Sequence, residues 1–231
     1  MQDKGLLPLG AVQIEENTAD GTSTISAQPV VPVLRVWLPT ESPDDASAAN
    51  GGLPVSVIAG QEATARYVGR IAGVYPVGEP LKAATVDSVV ERLRALNSAD
   101  ITAAPDAGTR ADRLRAVVRN RAPRVLPAIA RMQAGRPFIT GARCTLADLA
   151  LVTEVLYLER CGATRAEIFA CLSSTDAAVM TKTVETVLSF PAVAAYVADT
   201  WAEKPLVWDA NWEGELSFMY RYILCESCSQ F

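Results

Sequence analysis

Histidine is absent from the 231-residue sequence, and its absence removes the Ser-His-Asp and Cys-His nucleophile arrangements and makes a catalytic metal site improbable. No metal ligands are assigned. Aromatic residues are sparse at 6%. No apolar run approaches the roughly 20 residues that a bilayer-spanning helix requires, so no membrane partner is expected. The opening MQDKGLLPLGAV has only a short apolar stretch, interrupted by Pro8 and followed by no small-residue cleavage site, which argues against a secretory signal. The five cysteines (Cys144, Cys161, Cys171, Cys225 and Cys228) are odd in number, and three fall in apolar, helical-looking segments. That usage fits reduced thiols in a cytoplasmic protein better than a disulfide framework. A basic excess is also missing. Net charge is -5, and the arginines in ERLR and TRADRLRAVVRNR are interspersed with acids, which speaks against a nucleic-acid partner or a polybasic membrane patch. What is plentiful is apolar content, at 50%, enough for one sizeable core or two small ones.

Along the chain, residues 1–76 alternate short β-branched runs with turn residues. AVQIEE (11–16), VVPVLRVW (30–37) and LPVSVIAG (53–60) read as strands, and the Pro, Ser, Asp and Gly content of residues 39–52 reads as a long hairpin loop. A helix follows at QEATARYVGRIAG, closed by Gly73. From about residue 80 the period becomes helical. Leu81, Val86, Val89, Val90, Leu93 and Leu96 are expected on one stripe, and Leu114, Val118, Val125, Ile129 and Met132 on the next. Pro123 and Pro127 inside that second segment predict a kink or break. Further helices are expected at 145–160, 164–172, 176–189 and 192–203. The fold class is therefore α+β, a small mixed domain at 1–76 followed by a larger all-α one at 80–208, with a tail at 209–231. In the tail, Cys225-x-x-Cys228 reads either as a redox or metal half-site or as part of a segment packed back on the body.

FITGARCTLADLALV (138–152) puts Thr145 three residues ahead of Asp148 at the start of an apolar run. In such a capping box the hydroxyl accepts from the aspartate N–H while the carboxylate reaches back to the N–H of the cap, so two orphan donors are satisfied. The alternative is a catalytic carboxylate.

The stretch RPFITGARCTLADLALV resembles the opening of the buried core helix in the C-terminal domain of glutathione transferases. TARYVGRIAGVYP (64–76) resembles the family's Ala-Ile-x-Arg-Tyr-Leu helix and the Gly-Leu-Tyr after it, and FPAVAAYVADTWAEKP (190–205) resembles its terminal Pro-x-Val helix. TVDSVVERL (85–93) is similar to the first C-terminal helix of the sigma-like and related classes. The resemblance runs from about residue 5 to about 208. It implies a thioredoxin-like N-terminal domain that binds glutathione as substrate, conjugation of glutathione to hydrophobic electrophiles, no separate cofactor, and a homodimer.

The resemblance also places site residues. GLLPLGAVQIEE aligns with the end of the family's first helix and its second strand, so the segment with the Tyr, Ser or Cys that holds the glutathione thiolate would fall before Met1. The catalytic residue is accordingly unknown. Pro32 stands where the family has a cis-proline, with Val31 offering backbone groups to the glutathione cysteinyl unit; the alternative is an ordinary edge-strand proline. Gly60 and Gln61 occupy the helix start that receives the γ-glutamyl carboxylate in the family, where the usual pair is Glu/Gln-Ser, and Glu62 adds a negative charge beside it. Arg94 and Asn97 are candidates to face the second substrate, against the alternative of a solvated charged face. The competing function is a non-catalytic module for protein assembly.

Overall fold

The computed structural model describes residues 12–15, 33–36, 56–59, 61–96, 101 and 104–201. Three short strands come first, β1 (Val12–Glu15), β2 (Val33–Val36) and β3 (Ser56–Ala59). They form an antiparallel sheet in the order β1-β2-β3, with Ile14 opposite Leu34 and Leu34 opposite Ile58. Each strand lies within a run that the β-branched residues mark as extended. The hairpin loop at 39–52, Val31, Pro32, Gly60 and Asn97, and the tail 209–231 with its Cys225-x-x-Cys228, lie outside the described residues.

Helix α1 (Gln61–Ile71) follows and ends at Gly73, whose φ of 72° is a left-handed conformation that a side chain would strain. After residues 72–79 comes α2 (Pro80–Arg94), with proline in the first turn, where its missing N–H is no loss. Val86, Val89 and Leu93 bury one face of α2, and Leu96 continues it. Leu81 departs from the expected stripe and is 84% exposed. At about 100° per residue it stands about 140° around the helix from Val86, on the water side.

The segment expected to kink at its prolines is helical throughout. It consists of α3 (Ala107–Ala116), a π-helical turn (Val117–Arg121) and α4 (Ala122–Gln133). The Ala122 N–H bonds back five residues to the Val117 carbonyl, which widens the turn just before Pro123. Pro123 thereby falls in the first turn of α4, where its missing donor is tolerated. Pro127 lies inside α4.

Helix α5 (Leu146–Arg160) is the centre of the molecule. Leu146, Leu149, Leu151, Val152, Val155 and Leu158 are all buried, so it is apolar nearly all round, as a helix enclosed by others must be. It packs against α2 on one side and against α7 (Ser174–Leu188) on another, with α6 (Arg165–Phe169) between them in sequence and α8 (Pro191–Trp201) following. Val184, Val187 and Met180 of α7 close the core over it.

Candidate functional site

The first turn of α1 carries Gln61 and Glu62, so its free N–H groups and dipole offer a positive end to an anion, while Glu62 brings the opposite charge. The structure answers that charge from α2. Arg94 Nη1 bonds to Glu62 Oε1, and Arg66, one turn along α1, lies 3.7 Å from Glu62 Oε2. Arg66 also donates through Nε to Asp87 Oδ1 at 2.8 Å, and the Tyr75 hydroxyl donates to Asp87 Oδ2 at 3.0 Å. The Arg70 guanidinium lies 5.5 Å from the centroid of the Tyr75 ring. The hydrogen bond to Asp87 raises the Arg66 pKa above its ordinary value. Burial, then the bond to Asp87, raises that of Tyr75, which therefore stays a neutral donor near neutral pH. These pairs are partly exposed, so each contributes at most about 1 kcal/mol; their effect is to fix the angle of α1 on α2.

Below this network, Leu146 donates its N–H to the Val74 carbonyl at 2.9 Å, tying the segment after α1 to the start of α5. That start is a capping box at Thr145 and Asp148. Asp148 is fully buried. Its Oδ2 accepts from the Thr145 N–H at 2.8 Å and from the Thr145 hydroxyl at 2.9 Å, and its Oδ1 accepts from the Ile139 N–H at 2.8 Å. Burial pushes the Asp148 carboxyl above the usual range, against the pull of these donors. Asp148 thus joins the loop at Ile139 to the mouth of α5, and every bond it makes is to the frame of the molecule.

Of the residues singled out in the sequence, Gln61 begins α1, Arg94 sits across from it on α2 in its pair with Glu62, and Thr145 and Asp148 lie beneath. The Glu62 pairs were missed because their partners are 32 residues away on one side and four on the other. Glu62 reads in sequence as an unanswered charge, but its neighbours in space are arginines. Tyr67, the first tyrosine in the chain, packs against the core. The Thr64 hydroxyl, buried in α1, has no hydrogen-bond partner among the described residues. Among the described residues no cluster of cysteine, aspartate and glutamate could hold a metal ion, and no helix is long and apolar enough to cross a membrane.

Residues 98–200 match the family described as glutathione S-transferase, C-terminal domain. No curated protein matches the chain. The matched segment spans α3 to α8 apart from the last residue of α8, and it includes the capping box and the buried central helix. Over these residues, fewer than half of the chain, the protein is similar to the C-terminal domain of the glutathione S-transferases.

Proposed function

We propose that the chain is a glutathione transferase-like protein in which residues 1–76 adopt a thioredoxin-like arrangement and bind glutathione, while the helical domain, residues 80–208, receives a hydrophobic electrophile. The chemistry is a substitution or addition. The glutathione thiolate forms a bond to an electrophilic carbon, the leaving group departs with its electron pair, and the thiol proton passes to solvent. Val31 and Pro32 would offer backbone groups to the cysteinyl unit, and Gly60, Gln61 and the α1 N-terminus would hold the γ-glutamyl carboxylate. Arg94 and Asn97 would border the second substrate.

The observation that supports this reading best is the pairing of Glu62 with Arg94 and Arg66. An unanswered carboxylate beside Gln61 would repel the substrate's own carboxylate. With its charge met by two arginines, the helix N-terminus keeps its attraction for an anion. Retention of the full chain on immobilised glutathione, with turnover of 1-chloro-2,4-dinitrobenzene, is the expected result; absence of both would refute the reading. A second reading, a non-catalytic assembly module, draws on Val77 and Leu81, which stand 71% and 84% exposed at the entry to α2. It predicts a defined hetero-complex in solution, and a lone homodimer would count against it.

A further inference from the structure

Residues 107–133 hold seven arginines against one acid, Asp112, in a chain whose net charge is -5. Arg115, Arg119, Arg124 and Arg131 are exposed to water. Arg115 and Arg119 stand one turn apart on the same side. In an unbroken α-helix Arg124 would stand about 140° around from Arg119, but the wider π-helical turn between them reduces that to about 90°. Arg131 follows two turns further on, within about 20° of Arg124. The four therefore share one basic face, with the small side chains of Ala116, Asn120 and Pro123 exposed among them.

The charges of this face are mostly unanswered. Arg115 pairs with Asp112 at 2.6 Å, and both side chains are well exposed, where such a pair is readily exchanged. Arg119, Arg124 and Arg131 meet no carboxylate among the described residues. Arg121 is turned inward instead and donates to the Leu96 carbonyl at 2.8 Å.

The complementary charge lies in the chain itself. Residues 202–231 follow α8 and are outside the described residues. Within them, residues 205–220 carry three acids, Asp209, Glu213 and Glu215, and no base. Two of those acids directly follow an indole, in the pairs Trp208-Asp209 and Trp212-Glu213. An indole stacks on the flat side of a guanidinium and a carboxylate meets its fork, so each pair suits an arginine in both ways. Residues 202–215 span about 46 Å when extended, and a helical domain of this size has a radius of gyration of about 14 Å, so the acids can reach the arginine face. A tether of this length also holds them at an effective concentration of about 1 mM, which favours them over a free partner.

We infer that residues 208–216 of this chain dock on the exposed arginine face of α3 and α4. Trp208 and Trp212 stack on guanidinium groups, and Asp209, Glu213 and Glu215 pair with Arg119, Arg124 and their neighbours. The contact is intramolecular and does not depend on the glutathione reading.

The test uses the full chain with Arg119→Lys, which keeps the charge and adds an amine that a zero-length carbodiimide can join to a carboxylate. Peptide mass spectrometry should find position 119 joined to Asp209, Glu213 or Glu215. The exposed Lys182 on α7 should be joined to those acids at least about fivefold less, as a measure of chance encounters along the tether. In an equal mixture of 14N- and 15N-labelled chains, the joined peptides should carry like labels only. Acrylamide quenching is the second readout, in the chain without the lysine. Arg119→Glu with Arg124→Glu should raise the tryptophan quenching constant about twofold, because two of the four tryptophans leave the surface for water. Adding Asp209→Arg and Glu213→Arg should restore the parent value. Both sets change water-exposed charges or residues beyond α8, and circular dichroism should show the helical content unchanged. The inference is overturned if position 119 is joined no more than Lys182, or if mixed labels show that the segment docks on a second copy. It is also overturned if quenching ignores the arginine substitutions or is not restored by the reversed pair.

Discussion

Replacing Asp148 with alanine should be among the most damaging single changes in the helical domain. The carboxylate accepts three hydrogen bonds in a site closed to water, and two of the donors are backbone N–H groups, those of Ile139 and Thr145. Each buried N–H left without an acceptor costs about 1–3 kcal/mol. The third donor, the Thr145 hydroxyl, can turn elsewhere; the Thr140 hydroxyl is 3.2 Å away. Removing a buried charge that burial itself opposes returns part of the loss. The net expectation for Asp148→Ala is about 3–4 kcal/mol, or about 6–16 °C in melting temperature. Asp148→Asn keeps one acceptor oxygen and should cost about half as much. Urea unfolding followed by circular dichroism reads both values. If Asp148→Ala stays within about 1 kcal/mol of the parent, the carboxylate is not the tie between the Ile139 loop and α5, and the reasoning fails.

Three further outcomes are expected. At Gly69 an added Cβ would lie 3.2 Å from the Tyr75 Cβ, so Gly69→Val should overpack the turn after α1 and cost about 1–3 kcal/mol by the same unfolding assay. Cys161, with its thiol near 11, should react with iodoacetamide at pH 8 about 20-fold more slowly in the native chain than in urea, once the greater nucleophilicity of a more basic thiolate is allowed for. Peptide-resolved mass spectrometry reads that ratio at the Cys161 peptide. Glu167, which caps α6, has its pKa lowered by the Thr164 N–H and hydroxyl. Its contribution is therefore present above the ordinary carboxylate value of about 4.3 and is lost as pH falls through the lower folded value. Protection of the Thr164 amide, taken relative to its intrinsic exchange rate at each pH, should fall across that interval in the parent, and Glu167→Gln should remove that change in protection.

The helical half was legible because its signals are local. The period of Val86, Val89 and Leu93, the glycine after α1 and the Thr145–Asp148 spacing each report on a single turn of chain, and the helices stand within a few residues of where those signals put them. The prolines of 107–133 announced a departure from regular α-helix, but not its form. Proline forbids one hydrogen bond, but a π-helical turn upstream relocates the missing donor to a first turn, and nothing in the spacing announces that adjustment. Leu114 and Val118 kept the helical period, yet the period tells only which face they share. Whether a neighbouring helix covers that face is decided by tertiary packing, and here the face packs against the core yet stays half open beside the α5–α6 turn. The site was the least legible part. Glu62 reads as a fault beside Gln61 until Arg94 is seen opposite it, and that meeting of α1 with α2 is a property of the fold alone.

The most direct test of the account is a calorimetric titration of the full chain with glutathione, set beside the Arg94→Ala variant. Arg94 is exposed, so its loss should barely change stability, but it removes one of the two cations that answer Glu62. The account predicts saturable binding with a dissociation constant of about 1 mM or tighter, weakened about fivefold in Arg94→Ala and restored in the double variant with Glu62→Gln. Absence of binding up to about 10 mM glutathione, or an affinity indifferent to both substitutions, would contradict it.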